Sequence, residues 1–172
     1  WLSRIEEGFM PLYANLHFDL SLSYIPLIMT VYNITYTLSS YPIGILADRT
    51  NRIVFLGIGI VILILADLSF FAATSITGFW VGVILWGIQM GIVMNTFTTI
   101  IVDITPKKLH GTAFGCYYII CAVCVILSNS CAGYISETWG NRYAYLVSAF
   151  IASLSLIILM LVMKYRKISA TH

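Results

Sequence analysis

The chain is written in long apolar runs separated by short polar clusters. Segments without Asp, Glu, Lys or Arg extend from Leu20 to Ala47, Ile53 to Ala66, Leu68 to Val102, Gly111 to Ser136 and Tyr143 to Met163. About 20 apolar residues cross a bilayer as a helix, and Asp67 interrupts one run without ending it. The pattern predicts complete crossings at residues 22–46, 52–72, 78–103, 110–135 and 142–164. A membrane β-barrel would alternate lipid-facing and lumen-facing residues in segments of about 10. Runs such as "IVFLGIGIVILILADLSFF" do not alternate, so the predicted fold is an all-α polytopic membrane helix bundle.

Before the first polar loop, "NLHFDLS", only the stretch from Trp1 to Ala14 remains. At about 1.5 Å per residue it is about 20 Å long, short of a hydrocarbon core of about 30 Å. It is expected to be a helix cut short, in a chain that is part of a longer one. Arg4, Glu6 and Glu7 inside it exclude a signal peptide.

Composition agrees with the pattern. The chain is 60% hydrophobic and 9% charged, against about a quarter charged in soluble domains. Charge then orients it. Placing "DRTNR", "TPKKLHG" and the tail in the cytosol gathers Arg49, Arg52, Lys107, Lys108, Lys164, Arg166 and Lys167 there, and leaves Arg142 alone in the outer loops. The excess of basic residues inside predicts a cytosolic C-terminus. The net charge of +2 thus reports topology and gives no sign of nucleic-acid binding.

Enzymatic chemistry finds little footing. Cys116, Cys121, Cys124 and Cys131 share one span, and its C-x-x-C lacks a second ligand pair or a nearby His. These read as packing residues, with no metal or cofactor expected. His17, His110 and His172 lie in loops or the tail, so no nucleophile–base pair or metal cluster forms within a span, and an enzyme is not expected. Gly57 and Gly59 lack the strand and third glycine of a dinucleotide loop and read as packing glycines.

Function would reside in polar residues inside the spans, because a charge at the bilayer centre costs about 2.5–3.5 kcal/mol. Arg4 lies about 15 Å from the outer end of the cut helix. With Glu6 and Glu7 it forms either a substrate or proton site or an ion pair that locks helices. Asn33, Tyr36, Thr37, Ser40 and Tyr41 recur on one helical face, which favours an aqueous cavity over contact with another helix. Gln89, Thr96 and Asp103, spaced by seven and flanked by Trp86 and Asn95, form a third stripe. Gln89 and Asn95 either line a cavity or bond between helices, and Asp103 is expected to pair with Lys107 and Lys108. Asp67 calls for a snorkel, a helix partner or a coupling role. Gly111 and Gly115 form a small-x-x-x-small groove for close helix contact, and the last span reads as a lipid-facing support.

Three segments carry a family resemblance. Gly44 to Arg52, "GILADRTNR", resembles the "G-x-L-a-D-r-x-G-r" loop of major facilitator superfamily transporters, with Asn51 where glycine is usual. Asn tolerates a left-handed turn better than other side chains. "DITPKKLHGTAFGCYYI" resembles the connection between helices ten and eleven of that family, and "SRIEEGF" onward is similar to helices seven and eight of bacterial members. The resemblance implies helices seven (cut) to twelve, the C-terminal half of a transporter in the bacterial inner membrane. It also implies two bundles rocking about a midplane site, with Arg4, Glu6, Glu7, Asn33, Tyr36, Thr37, Gln89 and Asn95 near solute or coupling ion. Gly44, Asp48, Arg49 and Arg52 would form a gating loop, with Asp48 bracing a helix N-terminus of the other bundle. The implied partners are the lipid bilayer, a small solute, and either the missing N-terminal half or a second copy. The alternative is a non-transporting membrane partner whose polar stripes only join helices.

Overall fold

The computed structural model describes residues 9–49 and 51–169. Arg4, Glu6 and Glu7 lie outside the described residues, as do the side chains of Asp48 and Arg49. Six α-helices follow one another: α1 (Phe9–Phe18), α2 (Ile25–Arg49), α3 (Arg52–Ala72), α4 (Ile76–Ile104), α5 (His110–Trp139) and α6 (Asn141–Ser169). Single 3-10 turns precede α2 and α5. No strand occurs among the described residues, which bears out the all-α class.

Local chemistry sets the helix ends. α1 runs on into the segment expected to be a loop, as far as Phe18. It stops where Asp19 takes φ 50°, and Asn15 Nδ2 donates to the Leu20 carbonyl at 2.8 Å. Aspartate is among the few residues that enter this left-handed region at low cost. Asn51 does not adopt the left-handed turn expected from its place in the loop motif. Its φ of −63° and ψ of 116° are extended, and its side chain accepts the Ile53 amide at 3.0 Å as the N-cap of α3. Ser75 caps α4 in the same way, accepting the Gly78 amide. Between α5 and α6 only Gly140 remains, at φ 103°, a backbone state that a side chain would strain.

Four helices are long and apolar enough to cross a membrane: α3, α4, α5 and α6. α2, with 25 residues, is long enough but is not one of the four. Its Asn, Ser, Thr and Tyr side chains dilute the apolar surface that the count of crossings relied on.

α4 is the centre of the bundle, wedged between α2 and α3. α3 in turn packs on α6, and α5 rests mainly on α6. One core joins Tyr13 of α1, Tyr32 of α2, Phe70 of α3, Phe79 and Trp86 of α4 and Tyr145 of α6. α4 can sit so deep because its glycines admit neighbours. A methyl added at Gly82 would stand 2.8 Å from the Phe70 ring, and one at Gly87 would stand 3.0 Å from the Tyr32 carbonyl oxygen. Gly111 and Gly115, by contrast, face open space, with nothing within 4 Å of an added methyl. Close approach among the described residues is therefore made by the glycines of α4 and by Gly59 of α3, where an added methyl would stand 2.9 Å from Ile92 Cγ2, not by those opening α5.

Candidate functional site

The polar face of α2 divides between two environments. Tyr36 and Ser40 lean toward α4 and are half-buried. The Tyr36 ring stacks on Tyr32 at 6.4 Å, and Ser40 Oγ donates to the Tyr36 carbonyl at 2.7 Å. Asn33, Thr37 and Tyr41 are exposed on the opposite flank. Asn33 and Thr37, with Met29, Thr30, Ile34 and Leu38, line an open recess of about 440 Å³. Asn33 Nδ2 donates at 2.7 Å to the Met29 carbonyl of its own helix, which leaves its amide oxygen on the open flank with capacity to accept.

α4 uses its polar residues differently. Asn95 Nδ2 donates to the Gly91 carbonyl at 2.9 Å and across to the Ser40 carbonyl of α2 at 3.3 Å, so it joins helices. Thr96 is fully buried, and its hydroxyl donates to the Ile92 carbonyl of its own helix. Gln89 is 4% exposed, and its Oε1 has no hydrogen-bond partner among the described residues. By helical spacing Gln89 shares a sector with Gly82 and Asp103. Those residues meet Phe70 and Arg52 of α3, so Gln89 belongs to the α3–α4 seam and not to the α2 side.

The loop motif contributes an ion pair within its own bundle. Arg52, in the first turn of α3, pairs with Asp103 in the last turn of α4, and its Nη1 also donates to the Thr99 carbonyl at 3.3 Å. Asp103 is thus held by Arg52 rather than by Lys107 and Lys108, which the sequence placed beside it. The pair ties the cytosol-facing ends expected for α3 and α4. Gly44 stands in open space, so among the described residues no helix closes on it.

At the other end of the bundle Asp67 has a helix partner, one of the three readings its place in the sequence left open, and the partner itself was not foreseen. Asp67 of α3 is 1% exposed, and its Oδ2 accepts the Ser148 hydroxyl of α6 at 2.6 Å. Among the described residues no ion pair reaches it. One turn beyond, the Tyr13 hydroxyl donates to the Phe70 carbonyl at 2.8 Å. Arg142 donates through Nε and Nη2 to the Phe71 carbonyl at 3.2 and 2.6 Å, with its guanidinium 5.2 Å from the Phe71 ring centre. That arginine occupies the C-terminus of α3, where a cation is favoured. The signal for this site was Ala144, Ser148 and Ala152, small residues spaced by four and all buried. Such a stripe marks a helix-contact face. α6 is accordingly a lipid-facing support on one side only; its other side holds α3.

Ser148→Ala is expected to lower the unfolding free energy by about 1–3 kcal/mol, because it strands a buried carboxyl. Asp67→Leu combined with Ser148→Ala should cost less than Ser148→Ala alone, since both polar partners then leave together. Denaturant titration in detergent micelles measures both, and a double variant worse than the single one would refute the pairing.

Comparison with known proteins completes the picture. Residues 7–171 match the sequence model described as Major Facilitator Superfamily. A protein of Methanocaldococcus jannaschii described as an uncharacterized MFS-type transporter is 27% identical over 105 residues. That alignment takes in 61% of this chain and 26% of the relative, so the chain spans about a quarter of that protein's length. The family match runs through all six helices, from before α1 to beyond α6, and it shows that the chain belongs to the Major Facilitator Superfamily.

Proposed function

We propose that this multi-pass membrane chain is the C-terminal half of a permease that moves a small solute by secondary active transport. The observation that carries the reading is the open polar flank of α2. Asn33, Thr37 and Tyr41 are uncovered by any helix of the chain among the described residues. Hydrocarbon is a poor environment for such groups, and water in a transport cavity is a good one. A second bundle, either an N-terminal half or a second copy, would form the opposite wall. Glu6 and Glu7, together with Arg4, are proposed from their place in the sequence to bind the coupling proton or ion. The excess of basic residues in the loops and tail supports a cytosolic C-terminus, and the resemblance of the first helices supports the bacterial inner membrane. The Arg52–Asp103 pair would keep the inner ends of α3 and α4 moving as one body.

Cysteine accessibility tests the carrying observation. With the four native cysteines replaced by alanine or serine, Asn33→Cys and Thr37→Cys are introduced one at a time. In membrane vesicles both are expected to react readily with a charged thiol reagent. Ile158→Cys, on the exposed outer face of α6, is expected to remain unlabelled. Equal inertness of all three positions would place the α2 flank in lipid and remove the cavity.

A further inference from the structure

The transport reading makes no use of Asp67, yet this acid lies inside α3, a helix long and apolar enough to cross a membrane. Its side chain is buried, with Oδ2 2.6 Å from the Ser148 hydroxyl of α6. Among the described residues, the groups around it bring no counter-charge. On α1 the Tyr13 hydroxyl is committed to the Phe70 carbonyl, and on α6 Arg142 spends Nε and Nη2 on the Phe71 carbonyl. Tyr145 of α6 is buried beside Phe70, with ring centres 4.7 Å apart, and it adds a hydroxyl, not a cation. α4 carries no titratable side chain from Ile76 to Gln89, and α2 lies across α4, with Tyr32 against Trp86. α5 packs on α6, and at this end it carries Cys131, Tyr134 and Glu137, all exposed.

Burial without a counter-ion decides the form of the acid. An isolated carboxylate costs far more to bury than the neutral group, so the carboxyl takes up a proton. The contact with Ser148 accommodates this, because a hydroxyl can donate to a carboxylate or accept from a carboxylic acid. Ser148 also lines a recess of about 330 Å³ between α5 and α6, together with Ser128, Cys131, Ala132 and Ala144. That is room for water, whose share of liquid volume is about 30 Å³. One hydroxyl therefore touches both the carboxyl and the recess. A hydronium ion in the recess can give a proton to Ser148 Oγ while the serine passes its own to Asp67 Oδ2. The serine loses one O–H bond and gains another, a neutral water is left behind, and the carboxylate becomes the acid.

We infer that Asp67 is a proton-binding site in the α3–α6 seam, loaded through Ser148 from the α5–α6 recess. The site lies across α4 from the polar flank of α2, and it stands whether or not that flank carries a solute.

Infrared spectroscopy of the purified chain in vesicles at neutral pH gives the test. The carbonyl band of a protonated carboxyl is expected in the wild type, lost in Asp67→Asn and shifted in Ser148→Ala. Glu6→Gln/Glu7→Gln should leave that band in place. Transfer to heavy water should shift the band as deuterium replaces the proton, and Ser148→Ala should slow that shift. Unfolding in weakly buffered solution at neutral pH should release about one proton more from the wild type than from Asp67→Asn, because the exposed carboxyl ionises. Should Asp67→Asn fail to fold, displacement of the band by Ser148→Ala still places the proton at this contact. A spectrum in which neither Asp67→Asn nor Ser148→Ala alters a protonated-carboxyl band would overturn the site, as would equal proton release from the two chains. Deuterium exchange as fast in Ser148→Ala as in the wild type would overturn the loading route.

Discussion

Gly87→Val is expected to destabilise the bundle by about 3 kcal/mol, at the upper end of the usual cost of overpacking. A β-carbon at this position would stand 2.9 Å from Thr35 Cβ, 3.0 Å from the Tyr32 carbonyl oxygen and 3.2 Å from Thr35 Cγ2. The Thr35 Cγ2 methyl could rotate away, but the other two cannot, because a carbonyl and a β-carbon move only with their backbone. α2 would have to retreat from α4. That retreat would pull Tyr32 from Trp86, whose rings are 5.6 Å apart, and stretch the Asn95–Ser40 bond. Gly111→Ala is the matched control. It meets open space and replaces a poor helix former by a good one, so it should be neutral or stabilising by up to about 1 kcal/mol. Thermal unfolding in detergent compares the two, and similar midpoints would contradict the close α2–α4 packing.

Phe70→Ala should be nearly as damaging, for the opposite reason. Phe70 is fully buried, with ring centres of Tyr145, Phe79 and Tyr13 at 4.7, 5.7 and 6.3 Å. In a water-soluble core such a change costs about 3–5 kcal/mol. In a bilayer the transfer part largely disappears, because lipid is as apolar as the core, and lost packing remains. A loss on the order of 2 kcal/mol is therefore expected. The ring also fills the notch at Gly82, where an added methyl would lie 2.8–2.9 Å from three of its carbons. Gly82→Leu should accordingly be ruinous alone and tolerated in the Phe70→Ala background. If Phe70→Ala does not improve tolerance of Gly82→Leu, the ring is not what excludes the side chain.

These two sites show what was legible in the sequence and what was not. Apolar runs with polar punctuation gave the helices, since the bilayer leaves few other ways to satisfy a buried backbone. The deep seating of α4 was half-legible. Gly82, Gly87 and Gly91 are plain in the sequence as residues that permit close approach, but nothing in one helix names the neighbour that fills each notch. The α2 stripe was visible as a face, yet the line dividing Tyr36 and Ser40 from Asn33 and Thr37 depends on where α4 lies. Asp67 and Ser148 are far apart in sequence, and each has an innocuous reading alone, so their bond required tertiary placement. Arg142 looked like the outer exception to the charge rule, whereas its geometry makes it a clamp on the end of α3.

Pro42 lies inside α2 and lacks the N–H that would bond the Leu38 carbonyl. Just outside it, Ser39 and Ser40 are pressed against Gly91, and Asn95 bonds the Ser40 carbonyl; just inside it, Ile43 packs on the Phe55–Ile92 cluster of α3 and α4, while a methyl added at Gly44 would meet nothing within 4 Å among the described residues. α2 thus carries a gap in its own hydrogen-bond ladder between two packed stretches, with Ser39 and Ser40 on α4 to one side and Ile43 on the α3–α4 seam to the other. A bend at this gap would carry Ile43 against Phe55 and Ile92, while Tyr32 and Trp86 lie on the far side of it.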